Sequence, residues 1–72
     1  MKIEIRNNKE LGKILKQRRK ILQITQKQLG DICDLSHNGI SQIELGNSDI
    51  KLSTLLKMAQ IAGIKVILDT GD

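Results

Sequence analysis

Apolar side chains in this chain recur mostly at intervals of three and four, the spacing of one face of an α-helix. From Lys9 to Leu22 they are Leu11, Ile14, Leu15, Ile21 and Leu22, with Arg18 at the intervening position. That stripe predicts an amphipathic first helix, and Asn8 is suited to cap its start. Thr25 opens a second helix. Its hydroxyl can cap the free amide three residues on, where Gln28 completes a capping box. Leu29, Ile32 and Cys33 give this helix its inward face, and Asp34 falls where it must end. Ser36 caps a third helix, with Ile40 and Ile43 inward and His37, Asn38, Ser41, Gln42 and Leu45 on the other face. Gly46-Asn47 is a strong stop. After the polar loop from Asn47 to Lys51, Leu52, Leu55, Leu56, Ala59 and Ala62 mark a fourth helix ending at Gly63.

The two ends follow a different rhythm. Ile64 to Asp69 is β-rich, with Ile64, Val66 and Leu68 on one face and Ile67 on the other, and predicts a strand. Lys2 to Arg6 alternates charged and apolar residues, with Ile3 and Ile5 on one side, and gives a weaker signal of the same kind. The expected class is mostly α: one four-helix domain over residues 1–72, with a helical core at 11–63 and a C-terminal strand at 64–69. Seventy-two residues without Phe, Tyr or Trp make a thin core of Leu, Ile, Val, Ala and Met. A chain this short buries only about 60% of the surface exposed when unfolded. Cys33 is its only cysteine, so no intrachain disulfide can staple it. Small unstapled domains often gain stability by self-association, and a homodimer is expected.

Charge and chemistry narrow the function. Twelve Lys and Arg against eight Asp and Glu give a net charge of +4. Half of the basic residues (Lys9, Lys13, Lys16, Arg18, Arg19 and Lys20) fall between residues 9 and 20, either as a solvated helix face or as part of a phosphate-facing surface. His37 is the only histidine, and no second acid, base or nucleophile lies at the spacing of a catalytic dyad. Cys33 lies on an apolar face, where it serves as a small hydrophobe. No Gly-rich phosphate loop occurs. Neither enzymatic activity, a cofactor nor a metal is expected. With no apolar run of 18 residues and no signal-peptide pattern after Met1, a cytoplasmic protein with no membrane association is expected.

Two short amphipathic units joined by a tight turn, Thr25 to Gly46, form the pattern of a helix-turn-helix whose second helix enters a DNA groove. The exposed face of that helix is polar but nearly uncharged, where an ordinary solvated face would carry Lys and Glu. Gln and Asn can bond bidentately to adenine, Ser can donate or accept, and His can approach guanine N7. Asn38, Ser41 and Gln42 are candidate base contacts, with His37 at a base or the adjacent phosphate. For each, the alternative is a surface position without a base contact. Gly39 inside this helix costs about 1 kcal/mol relative to Ala; either it permits close backbone approach or it is simply tolerated. Phosphate contacts are expected from the amides and side chain of Gln26, and from Lys27, Ser36, Asn47 and Lys51.

Thr25-Gln26, Leu29, Leu35-Ser36, Ile40-Ser41, Ile43-Glu44 and Gly46 resemble, without a gap, the motif of the Xre/Cro-CI family of lambdoid-type repressors. The likeness extends through Arg19 and Thr54-Leu55-Leu56 and covers about residues 10 to 63. It implies an ion pair between Arg19 and Glu44 that ties the first helix to the third. Three positions depart from the family pattern: Asp34 replaces the usual turn glycine, Gly30 the usual alanine and Lys51 a common capping Ser or Thr. Small losses of stability are expected there. A fourth helix followed directly by a strand is most similar to HipB-type antitoxins, the DNA-binding partners of HipA-like kinase toxins. That likeness implies that Ile64, Val66, Ile67 and Leu68 form a dimer interface, with the C-terminal strands pairing between subunits. The N-terminal strand could add to the same sheet.

The expected function is thus a homodimeric repressor of a palindromic operator in double-stranded DNA, in the role of an antitoxin with a HipA-like kinase as partner. A stand-alone phage or plasmid regulator is the alternative within this class. An interaction module that has lost DNA binding is the alternative outside it.

Overall fold

Helix ends are set by side chains that satisfy the otherwise free amides of a first turn. In the computed structural model, which describes residues 1–72, α1 spans Asn8–Ile21 and is capped by Asn7, whose side chain accepts from the Glu10 amide. The cap is thus one residue earlier than expected. Asn8 instead donates through Nδ2 to Asp49 Oδ1 at 2.7 Å, pinning the start of α1 to the loop before the last helix. Helix α2 (Gln26–Cys33) begins with the full Thr25–Gln28 capping box, and α3 (His37–Leu45) begins at Ser36, whose Oγ accepts from the Gly39 amide. Helix α4 (Leu52–Ala62) starts at Lys51 with no side-chain cap. Gly46 and Gly63, both with positive φ, close α3 and α4.

The four helices surround a small core of Leu15, Leu29, Cys33, Ile40, Ile43 and Met58, sealed by Ala59 and Ala62. Ile40 and Met58 have essentially no exposure, so α3 and α4 both project into its centre. The apolar stripes are narrower than the sequence suggests. Ile32 is 46% exposed, because α2 buries only Leu29, Gly30 and Cys33. Ile21 and Leu22 are also exposed at the end of α1. Burial raises the Cys33 thiol above its ordinary pKa, against a smaller opposing effect of the Lys57 charge, so it stays protonated and inert at neutral pH.

Two helical glycines permit backbone contact. A Cβ on Gly12 would run into the Ile43 carbonyl oxygen and lie 2.6 Å from that of Glu44, so α1 rests directly on the last turn of α3. A Cβ on Gly30 would lie 2.5 Å from the Leu35 carbonyl oxygen in the turn between α2 and α3. That turn is tight: Asp34 has φ 59° and the Leu35 amide donates to Gly30 O at 2.8 Å. Gly30 is therefore fitted to the path of the turn and is not merely a weaker helix former.

No strand forms at either end of the single chain. Residues 1–6 and 64–72 lie outside regular structure. The strands expected at Lys2–Arg6 and Ile64–Asp69 are therefore absent, because neither segment has a neighbouring strand in the chain to take up its backbone hydrogen bonds. Ile64 packs against the core as its amide donates to Ala59 O at 2.8 Å, whereas Val66, Ile67 and Leu68 are exposed.

Gly30→Ala separates helix propensity from packing. Propensity alone would favour Ala by about 1 kcal/mol, but contact with the Leu35 backbone reverses the sign. A net loss of about 1–3 kcal/mol is expected in urea unfolding. A variant as stable as the parent would show that the turn yields freely.

Candidate nucleic-acid interface

The start of α3 is exposed while its rear face is buried. Ile40, Ile43 and Glu44 point inward, and His37, Asn38, Ser41 and Gln42 fall on the opposite side at helical spacing. His37 and Asn38 are exposed; Ser41 and Gln42 are half-buried. Three residues, Asp34 to Ser36, separate α2 from α3.

Glu44 is the one buried charged residue, and its surroundings fix α3 against both neighbouring helices. Arg19 of α1 donates through Nε to Glu44 Oε2 at 2.6 Å and through Nη2 to Oε1 at 3.0 Å. The paired side chains are only 11% and 2% exposed. The remaining guanidinium nitrogen, Nη1, donates to Ile24 O at 2.9 Å, tying the loop before α2 into the same arrangement. Gln26 of α2 donates through Nε2 to Glu44 Oε1 at 3.0 Å. Burial pushes the Glu44 carboxyl up, but hydrogen bonds from Arg19 and Gln26, with the charges of Arg19 and Lys16, outweigh it and leave its pKa below the ordinary 4.5. A buried carboxylate therefore persists at neutral pH because its lone pairs are occupied.

The expected phosphate residues occupy different settings. The Gln26 side chain does not reach outward as a clamp: its Oε1 meets His37 Nε2 at 2.7 Å while its Nε2 is held by Glu44. Its backbone amide remains at the free N-terminus of α2. Lys27 is exposed beside it, and Ser36 uses its Oγ as the α3 cap. Asn47 donates through Nδ2 to Gln42 Oε1 at 3.3 Å, and Lys51 is exposed ahead of α4.

Three contacts that shape the site were not expected from the sequence. The Gln26–His37 bond links the two helices of the motif. Gly12 lets α1 support α3. Arg18, which interrupts the apolar stripe of α1, donates through Nε to Ala62 O at 3.0 Å and closes the C-terminus of α4. A signal existed for two of them: a glycine at mid-helix and a charge inside an apolar stripe are both unfavourable unless something uses them.

A helix-turn-helix family model matches residues 15–67. The chain belongs to this family, in its Xre/Cro-CI branch, and is a helix-turn-helix DNA-binding regulator. A search of curated protein sequences found no match. Among solved structures, the chain is similar to a HipB variant in complex with an O2 20mer: TM-score 0.79, 21% identity, with all of both chains covered. It is equally similar to a chain of a HipA-HipB-O2-O3 complex, with TM-score 0.79 and 21% identity over 99% of this chain and 100% of that one. The restriction-modification controller protein C.AhdI from Aeromonas hydrophila aligns with TM-score 0.74 and 22% identity, over 81% of this chain and 84% of that one. At these identities the likeness is one of fold. No helix is long and apolar enough to cross a membrane.

Removing one member of the Arg19–Glu44 pair should cost about 3–5 kcal/mol, and Arg19→Met combined with Glu44→Leu should recover part of that loss. Equal losses in the single and double variants would show that the pair acts only through packing. The depressed Glu44 pKa also has a signature. Its contribution is present above pH 4.5 and is lost as the pH falls through the lower native value. The stability gap between the parent and Glu44→Gln should therefore shrink on acidification below that point. A gap that stays constant would contradict the assignment.

Proposed function

We propose that the chain is a homodimeric, operator-binding repressor that acts by binding and not by catalysis, and that it serves as the antitoxin of a kinase toxin. The observation that carries the DNA-reading part is the polar, uncharged outer face of α3 on a helix whose rear is fixed by a buried ion pair. Asn38, Ser41 and Gln42, with His37, read base edges in the major groove. Lys27, Ser36, Asn47, Lys51 and the amide of Gln26 hold the backbone of the duplex. Such phosphate contacts set register and supply most of the salt dependence.

Self-association is supported by what the subunit leaves uncovered. Val66, Ile67 and Leu68 are 43%, 63% and 92% exposed, and Leu52 and Leu56 on α4 are 65% and 48% exposed. Pairing of residues 64–69 with the same segment of a second subunit would satisfy the backbone there and cover Val66, Ile67 and Leu68. In the dimer, two α3 helices about 34 Å apart would enter successive major grooves of a palindromic site. The antitoxin role and a kinase partner are supported by likeness over the full length to HipB, which occurs with HipA in one of the complexes. Likeness to a restriction-modification controller supports a second reading, a regulator with no toxin. Co-purification with the product of an adjacent kinase-like gene would decide for the first.

Gln42→Ala should cost about 1–3 kcal/mol on the preferred duplex and relax one base position, whereas Lys27→Ala should weaken all sequences alike and lower the salt slope. A Gln42→Ala protein that binds like the parent would sink the base contact. Truncation after Gly63 should give a folded monomer in sedimentation. A truncated chain that remains a stable dimer would refute strand pairing.

A further inference from the structure

The contacts behind α3 constrain the hydrogen-bonding character of His37. Glu44 accepts two bonds from Arg19 and, as a carboxylate, accepts from whatever faces it. The atom of Gln26 at Glu44 must therefore be the Nε2 donor, which turns Oε1 toward His37. An amide oxygen has no proton to give, so the His37 nitrogen 2.7 Å away must carry one, and Nε2–H donates to Gln26 Oε1. In the neutral ring the other nitrogen, Nδ1, is then an acceptor. It has no hydrogen-bond partner in the subunit, and it belongs to an exposed residue at the first position of α3. This series of four side chains, Arg19, Glu44, Gln26 and His37, runs from the buried ion pair to the exposed face.

We infer that Gln26 is a positioning residue for sequence recognition: it fixes His37 as a hydrogen-bond acceptor, so that His37 selects a base bearing an exocyclic amino group in the major groove. Adenine N6 and cytosine N4 are the donors there, whereas guanine N7 and O6 and thymine O4 are acceptors. His37 thus selects adenine or cytosine, and the expectation from residue type alone, guanine N7, is replaced. The inference rests on the DNA-reading role proposed for α3 and adds the chemistry of one position.

The test is selection from a randomised duplex library at about pH 8, above the ordinary imidazole range, with the full chain, Gln26→Leu and His37→Ala. The parent should enrich adenine or cytosine at one position of each half-site. His37→Ala should lose that preference, Gln26→Leu should relax it, and both should keep the others. Removing the amino group at that position, with purine for adenine or 2-pyrimidinone for cytosine, should weaken the parent about tenfold, weaken Gln26→Leu less and leave His37→Ala unaffected. Nitrogen NMR of the free parent should show Nε2 protonated, and Gln26→Leu should give a mixture of tautomers. His37 is exposed, so His37→Ala and the amino-group deletions decide the matter even if Gln26→Leu fails to fold. Guanine or thymine at the position lost in His37→Ala would overturn the inference, as would an unchanged profile in a folded Gln26→Leu. A profile with other positions enriched but none owed to His37 overturns this inference alone. A library that yields no enriched duplex overturns the DNA-reading role as well.

Discussion

The arrangement depends on a carboxylate buried where a small core has little room for charge. Glu44 sits at 5% exposure on the inner face of α3, and desolvation alone would favour its neutral form. Arg19 reverses that balance by offering two nitrogens to the carboxylate and a third to the Ile24 carbonyl. One guanidinium therefore fixes α1, the loop before α2 and the end of α3 together. A buried ion pair is rarely a net source of stability against an apolar replacement. Its value in this fold is directional: a Leu–Leu contact would tolerate rotation of α3 about its axis, whereas a forked bond between planar groups does not.

That rigidity matters for the proposed role, because a reading surface of Asn, Gln, Ser and His would have little affinity to spare. Such side chains earn specificity only when held at bonding distance from base edges. Two approaches of backbone to backbone reinforce the ion pair: Gly12 brings α1 against the last turn of α3, and Gly30 lets the turn lie close to α2. The exposed apolar residues of α4 and the C-terminal segment carry no part of this support, which leaves them free for the proposed self-association.

Much of this was legible in the chain. Thr25 with Gln28, Ser36, Gly46 and Gly63 mark helix ends through local chemistry, so their positions follow from sequence. The cap of α1 moved by one residue because Asn7 and Asn8 are equally competent and only the fold finds Asp49 for the second. The spacing of Ile32 with Leu29 and Cys33 points it inward, but the buried face of a two-turn helix is narrow and leaves it exposed. The Arg19–Glu44 pair, 25 residues apart, came from family resemblance; no local rule would supply it. The Gln26–His37 bond needs the angle of the turn and so does not follow from local pattern, whereas the β-rich run at residues 64–69 has no neighbouring strand in the chain and forms none.

Amide chemical-shift mapping of the labelled chain during titration with a library-selected duplex tests most directly whether the outer face of α3 reads DNA. Shifts should concentrate at His37–Gln42, with a second group at Gln26 and Lys27, and the core residues of α4 should stay unchanged. Shifts centred on α4 or on residues 64–72, with α3 silent, would contradict the assignment of α3 as the reading helix.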